Sequence, residues 1–141
     1  MSETIHASCV AIEGRAVLIA GRSGSGKSDL ALRLIDRGAA LVSDDYTIVT
    51  PDGRRLIASS PGRIAGSMEV RGIGIVRFDT LASAPVALLV DLEIPVERMP
   101  EDDGMRSIAG VAVPVLALSS LEGSAPIKVE LALKRIGSDP L

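Results

Sequence analysis

The chain has 141 residues, 14 of them glycine and 47% of them apolar, which suits one compact domain spanning residues 1–141. With 15 basic against 18 acidic residues the formal charge is -3, so the positive field of a nucleic-acid binder is missing. The only aromatics, Tyr46 and Phe78, exclude base-stacking platforms and an aromatic core, while a lone Cys9 and a lone His6 exclude a disulfide framework and a soft-ligand zinc cluster. The start Met-Ser-Glu-Thr-Ile-His has no basic n-region, and no apolar run approaches the roughly 18 residues that cross a bilayer. A reducing, cytoplasmic setting without a membrane span is the expectation.

In chain order, Ala16 to Ala20 (AVLIA) form a continuous apolar run ending in glycine, the pattern of a strand buried on both faces in a parallel sheet. Leu30, Ala31, Leu34 and Ile35 then recur at helical spacing between polar residues, and Gly38 supplies a stop, predicting a helix of about ten residues. A second apolar run, Ala39 to Val42, ends in Asp44 and Asp45 and completes a β-loop-α-β unit. Pro51-Asp52-Gly53 predicts a hairpin turn and Pro61-Gly62 another turn. Met68 to Val76 (MEVRGIGIV) predicts a strand interrupted at Gly72 and Gly74 by a bend or a close backbone approach. Ala87 to Leu92 predicts a buried strand, Pro95 to Arg106 a mobile loop, and Val111 to Leu118 and Ile127 to Ala132 two further strands.

Residues 21 to 28 read Gly-Arg-Ser-Gly-Ser-Gly-Lys-Ser and satisfy G-x-x-x-x-G-K-[ST], between a buried strand and an amphipathic helix where such a loop belongs. Gly21, Gly24 and Gly26 allow backbone N–H groups to turn around phosphates, with Arg22, Ser23 and Ser25 completing the loop. Lys27 is expected to reach the β- and γ-phosphates of ATP, and Ser28 to ligate Mg²⁺. The acid that assists the cation has two candidates by position. Asp44 and Asp45 end one strand, and Asp91 ends another, in ALLVD. Adjacent carboxylates separate one another's pKa values, which suits one to the cation and the other to base catalysis, and favours the pair.

These landmarks, together with the motif Met68 to Ile75 (MEVRGIGI), resemble the catalytic domain of HPr kinase/phosphorylase, which phosphorylates a serine of the sugar-transport phosphocarrier HPr. The resemblance covers roughly residues 6 to 135. It implies an α/β fold, a P-loop-containing mixed sheet with flanking helices, similar to the HPr kinase and phosphoenolpyruvate carboxykinase nucleotide-binding core. It further implies a homo-oligomer, usually a hexamer, and an HPr-like partner in the regulation of phosphotransferase-linked carbon and nitrogen metabolism. By the same resemblance Lys27 and Ser28 hold phosphate and Mg²⁺, one of Asp44 and Asp45 exchanges the serine proton, and His6 stands near the active site. Glu69 is implied as a second Mg²⁺ ligand with Arg71 in the same motif, and Arg98 as the catalytic arginine of the mobile loop, with Arg106 its competitor.

Two departures qualify the resemblance. The family's N-terminal domain is expected to be missing, and the stretch LSSLEGSAPIKVELALKRIGSDPL lacks the Arg-Asn of the family's PVRPGRN-like loop, which argues against phosphorolysis and against the hexamer contacts of a final helix. Two other readings remain open. A small-molecule kinase needs an arginine-rich lid, whereas the lid candidate here is acidic, with Glu97, Glu101, Asp102 and Asp103. A nucleotide-sensing module would bind ATP and transfer nothing.

Overall fold

A computed structural model of the chain describes residues 1–62, 66–97 and 104–137. Its strands are β1 (Glu3–Ile5), β2 (Ala7–Ile12), β3 (Arg15–Ala20), β4 (Ala40–Ser43), β5 (Thr47–Asp52), β6 (Arg55–Ser59), β7 (Ser67–Val70), β8 (Gly74–Arg77), β9 (Ser83–Asp91), β10 (Met105–Ile108) and β11 (Val111–Ala117), with helices α1 (Lys27–Asp36) and α2 (Ala125–Ile136). Nine strands form one mixed sheet along the path β1-β5-β6-β9-β3-β2-β4, and β11 joins β9 while pairing with β10. The long β9 serves three partners: Val86–Asp91 pair parallel with β3 on one edge, while on the other Ser83–Pro85 pair antiparallel with β6 and Leu89–Asp91 pair parallel with β11.

Alternation along the central strands divides the core. Val10, Val17, Ile19, Leu88 and Val90 join Leu30, Ala31 and Leu34 of α1 and Val129 and Leu133 of α2 on one face. Cys9, Leu18 and Leu89 point the other way, to Val49, Leu56 and Ala58 of the β5–β6 hairpin and to Ile108 and Val113 of the β10–β11 hairpin, so the sheet curls over its own second face. Each fully buried leucine or isoleucine contributes about 1.5–3 kcal/mol of transfer free energy. This two-sided burial is why Ala16 to Ala20 is apolar throughout. Among the described residues, no helix is long and apolar enough to cross a membrane.

Several expectations hold, and the structure modifies others. The helix is where the spacing puts it, the turn of the β5–β6 hairpin falls on Gly53 and Arg54, and β11 runs as expected. The interrupted strand at Met68 to Val76 is a separate two-stranded hairpin, β7–β8, with Gly72 and Gly74 at positive φ where the chain reverses. The β-loop-α-β unit is also modified: β3 pairs parallel with β9 on one side, but antiparallel β2 lies between β3 and β4. The preceding hairpin partner thus occupies the position that a simple parallel crossover would leave for β4.

Ile127 to Ala132 is not a strand, since it lies inside α2. Ala125, Val129 and Leu133 recur every four residues and bury one helical face, Pro126 sits in the first turn, and Lys134 and Arg135 complement the last. Local apolar alternation suggested a strand, and the longer period decides. The helix is anchored by Arg37, which donates to both carboxylate oxygens of Glu130 at 2.9 and 2.7 Å, and by Arg15, which donates to the Gly137 carbonyl.

Candidate active site

Residues 21 to 26 connect β3 to α1. Gly24 and Gly26 adopt φ of 84° and 98°, in the left-handed region that favours glycine. A Cβ on Gly26 would also overlap the Ser120 side chain, whose Oγ donates to the Ser25 carbonyl at 2.7 Å, so the loop is packed from behind. Among the described residues no side chain caps α1, so its first N–H groups, at the positive end of the helix dipole, lack a side-chain acceptor and suit an anion. Ser25 Oγ is buried with no partner among the described residues.

In front of this loop lies a cleft of about 610 Å³, whose walls bring together Lys27, Ser28, Asp44, Asp45, Glu69 and Arg71 with Ser23, Gly24 and Gly26. Lys27 is only 4% exposed; its Nζ donates to the Arg22 carbonyl at 3.2 Å and stands 3.9 Å from Asp45 Oδ1. Ser28 Oγ donates to Asp44 Oδ1 at 2.7 Å. Glu69 reaches the cleft because β7 alternates, with Met68 turned into the core. His6 stands beside the pair, Nε2 3.0 Å from Asp45 Oδ1, with its ring stacked on Tyr46 at a centroid distance of 5.0 Å.

Two features of the acid pair are tertiary. Asp45 has φ of 69°, unusual for a residue with a side chain, and Tyr46 N–H donates to the Asp44 carbonyl at 2.8 Å, closing a tight turn around it. Ser8, fully buried on β2, stabilises this turn: its Oγ donates to Asp44 Oδ1 at 2.9 Å and accepts from Asp45 N–H at 3.1 Å. Ser8 was not singled out from the sequence. The available signal was a serine two places after His6 in an otherwise apolar run, Ala7 to Ile12, where a hydroxyl needs a partner once buried.

Asp91, the other candidate acid, ends β9 beside the loop but is engaged elsewhere. Arg106 donates to its Oδ2 at 2.7 Å, and Glu93 N–H donates to its Oδ1 at 2.9 Å. Arg106 is therefore held on β10 against Asp91 in this structure. Arg98, with Glu101, Asp102 and Asp103, lies outside the described residues.

The donor set in the cleft is hydroxyl and carboxylate oxygen, the ligand type of Mg²⁺, which uses one or two protein oxygens and takes the rest from phosphate and water. Among the described residues, no group of three or more His, Cys, Asp or Glu side chains is placed to hold a metal ion. Ser28 and Asp44 are adjacent at the mouth of the loop, and Glu69 lines the same cleft. Lys27 and the N-terminal end of α1 bring positive charge to the same cleft.

Residues 1–127 match the family described as HPr Serine kinase C-terminal domain. The HPr kinase/phosphorylase of Geobacillus thermodenitrificans is 34% identical over 94% of this chain and 49% of the relative, and that of Chlorobaculum tepidum is 36% identical over 84% of this chain and 39% of the relative. The chain thus spans less than half the length of these curated relatives. The solved structure of the Hpr(Ser) kinase/phosphatase from Coxiella burnetii superposes with a TM-score of 0.80 at 31% identity, covering 94% of this chain and 89% of the other.

Proposed function

The chain belongs to the HPr serine kinase C-terminal domain family, and on that premise we propose that it is an ATP-dependent serine kinase acting on HPr or an HPr-like phosphocarrier, in the cytoplasm. The observation that carries this reading is the cleft in which a glycine-rich loop, a buried lysine and two inequivalent aspartates converge. Gly21 to Ser28 hold the triphosphate, with Lys27 on the outer phosphates. Ser28 and Asp44 hold Mg²⁺ with Glu69 assisting, and the cation, when bound, neutralises charge on the phosphates.

The partners of the two aspartates suggest different tasks. Asp44 Oδ1 gathers two hydroxyls, the arrangement of a fixed ligand. Asp45 is the more open, with its side chain 55% exposed and its carboxylate between His6 and Lys27. In the proposed step Asp45 accepts the proton of the acceptor serine as its Oγ bonds to the γ-phosphorus, and the bond from that phosphorus to the bridging oxygen breaks to release ADP. His6 and Lys27 orient the Asp45 carboxylate. Arg98 remains the candidate for balancing charge on the transferring group.

The test is to mix the protein with MgATP and the host's HPr-like carrier and to seek, by intact mass spectrometry, an added phosphate that survives acid, as phosphoserine does. An acid-stable phosphate that is lost with Lys27→Ala or with the Asp44→Ala/Asp45→Ala double variant is the expected result. ATP binding without any phosphorylated carrier would refute the kinase reading.

A further inference from the structure

We propose that a second cleft, on the far side of the glycine-rich loop from the acid pair, receives the nucleoside of the bound nucleotide and holds its base between aliphatic side chains. This inference rests on the nucleotide reading of the loop. The cleft measures about 690 Å³ and is bounded by Arg22 to Ser25, by Leu92, Ile94 and Val96, and by Leu118 to Leu121. That volume lies within the range that encloses a small organic ligand, about 300–1,000 Å³.

Its position follows from strand order. β3, β9 and β11 are parallel neighbours, and Ala20, Asp91 and Ala117 end them in register. The loops that leave these three ends, beginning at Gly21, Leu92 and Leu118, are the three walls of the cleft. In open α/β sheets ligands bind beyond the carboxyl ends of parallel strands, and this is the place where three such ends meet.

Direction follows from the loop itself. Lys27 and Ser28, the groups suited to the outer phosphates and their cation, line only the acidic cleft, so the terminal phosphate points there. Ser23 and Gly24 border both clefts, and nothing stands within 4 Å of where a Gly24 Cβ would be, leaving the ridge between them open. A triphosphate lying on the loop with its γ end toward Asp45 therefore carries its nucleoside across that ridge into the second cleft.

The chemistry of the walls suits a base more than further phosphate. Leu121 is 94% exposed, Val96 54% and Ile94 37%, so three apolar side chains that line the cleft stand open to it. Among the described residues that line this cleft the only cation, Arg22, is already bound to Glu93 at 2.9 Å. Neither aromatic residue is available to stack, since Tyr46 lies against His6 and Phe78 packs on the core.

Trp is absent from the chain, so Leu121→Trp introduces a unique fluorophore at a position where the fold makes no demand. ATP is expected to change its emission and to bind about threefold or more tightly through base stacking, whereas inorganic tripolyphosphate leaves the emission unchanged. In the opposite direction, Ile94→Ser/Leu121→Ser is expected to weaken ATP binding by about fivefold or more, with tripolyphosphate affinity held within about twofold. If calorimetry shows ATP bound to the unaltered protein while both variants treat ATP and tripolyphosphate alike, the base lies elsewhere and this inference alone falls. If neither ligand binds the unaltered protein, the nucleotide reading falls with it.

Discussion

Two carboxylate sites flank β3, and they differ in what already neutralises them. At the end of β4, Asp44 is met by the hydroxyls of Ser8 and Ser28, and Asp45 opens to the cleft. At the end of β9, Asp91 is only 8% exposed and bound to the Arg106 guanidinium at 2.7 Å. A carboxylate held by hydroxyls keeps its negative charge available to an incoming cation or proton. One that is paired with arginine in a half-buried setting has spent that charge on structure. A strand-end acid closed off by a guanidinium is therefore a weaker candidate ligand than one held by hydroxyls.

The sharpest way to break this comparison is to remove each acid in turn. Asp45→Asn is expected to lower the phosphotransfer kcat by about 10²–10⁴-fold with ATP affinity little changed, as loss of a general base does. Asp91→Asn is expected to leave kcat at saturating ATP within about tenfold. If the two variants behaved alike, the contrast would be wrong.

Ser8→Ala should have the next largest effect. It removes the acceptor for Asp45 N–H and one donor to Asp44, loosening a turn already at positive φ. A fall in kcat of about 10–100-fold with an unchanged KM for ATP would mark a positioning residue, because misplacement of reacting groups costs rate before it costs binding. An equal loss of ATP binding would instead mean that the serine merely holds the fold.

Asp91→Asn should show its effect in stability, by about 1–2 kcal/mol in denaturant unfolding, since the Arg106 charge loses its partner. Cys9 offers an internal reporter of that loss. Burial pushes its thiol far above the ordinary range, so almost no thiolate forms at neutral pH and alkylation requires opening of the sheet. Alkylation of Cys9 in the Asp91→Asn variant should be faster than in the unaltered protein.

The smallest expected effect lies away from both sites. The hydrogen bonds from Arg37 hold the Glu130 carboxyl below its usual value. A lowered native pKa stabilises above the unfolded value, near about 4.3, and that contribution is lost as pH falls through the lower native value. Glu130→Gln should therefore lower Tm slightly at pH 7, and the difference from the unaltered protein should vanish in acid and shrink in high salt.

Much of this site was legible because its parts are local. The glycine-rich loop with Lys27 and Ser28, the helix after it and the acid pair lie within 25 residues of chain, from Gly21 to Asp45, and each carries its own pattern. Glu69 was legible through a motif alone, and its place in the cleft depends on the β7–β8 hairpin standing apart from the main sheet. Ser8 was not legible, because a buried hydroxyl has meaning only through partners 36 and 37 residues away. The strand expected at Ile127 to Ala132 failed for a related reason: a short window of alternating residues cannot distinguish periods that the full 12-residue helix separates.

By itself, then, the sequence determined what short-range physics controls: glycines where the backbone must turn around an anion, helical spacing from Leu30 to Ile35, and the chemical kinds of the site's side chains. Tertiary structure alone decided what each acid is bound to. Adjacency in the sequence favours Asp44 and Asp45 over Asp91, but their partners came only with folding, which brought Ser8 and Ser28 to Asp44, His6 and Lys27 to Asp45, and Arg106 to Asp91. It also decided that three distant loops share one level at the ends of β3, β9 and β11, because sheet register, set by packing on both faces, leaves no local trace in the chain.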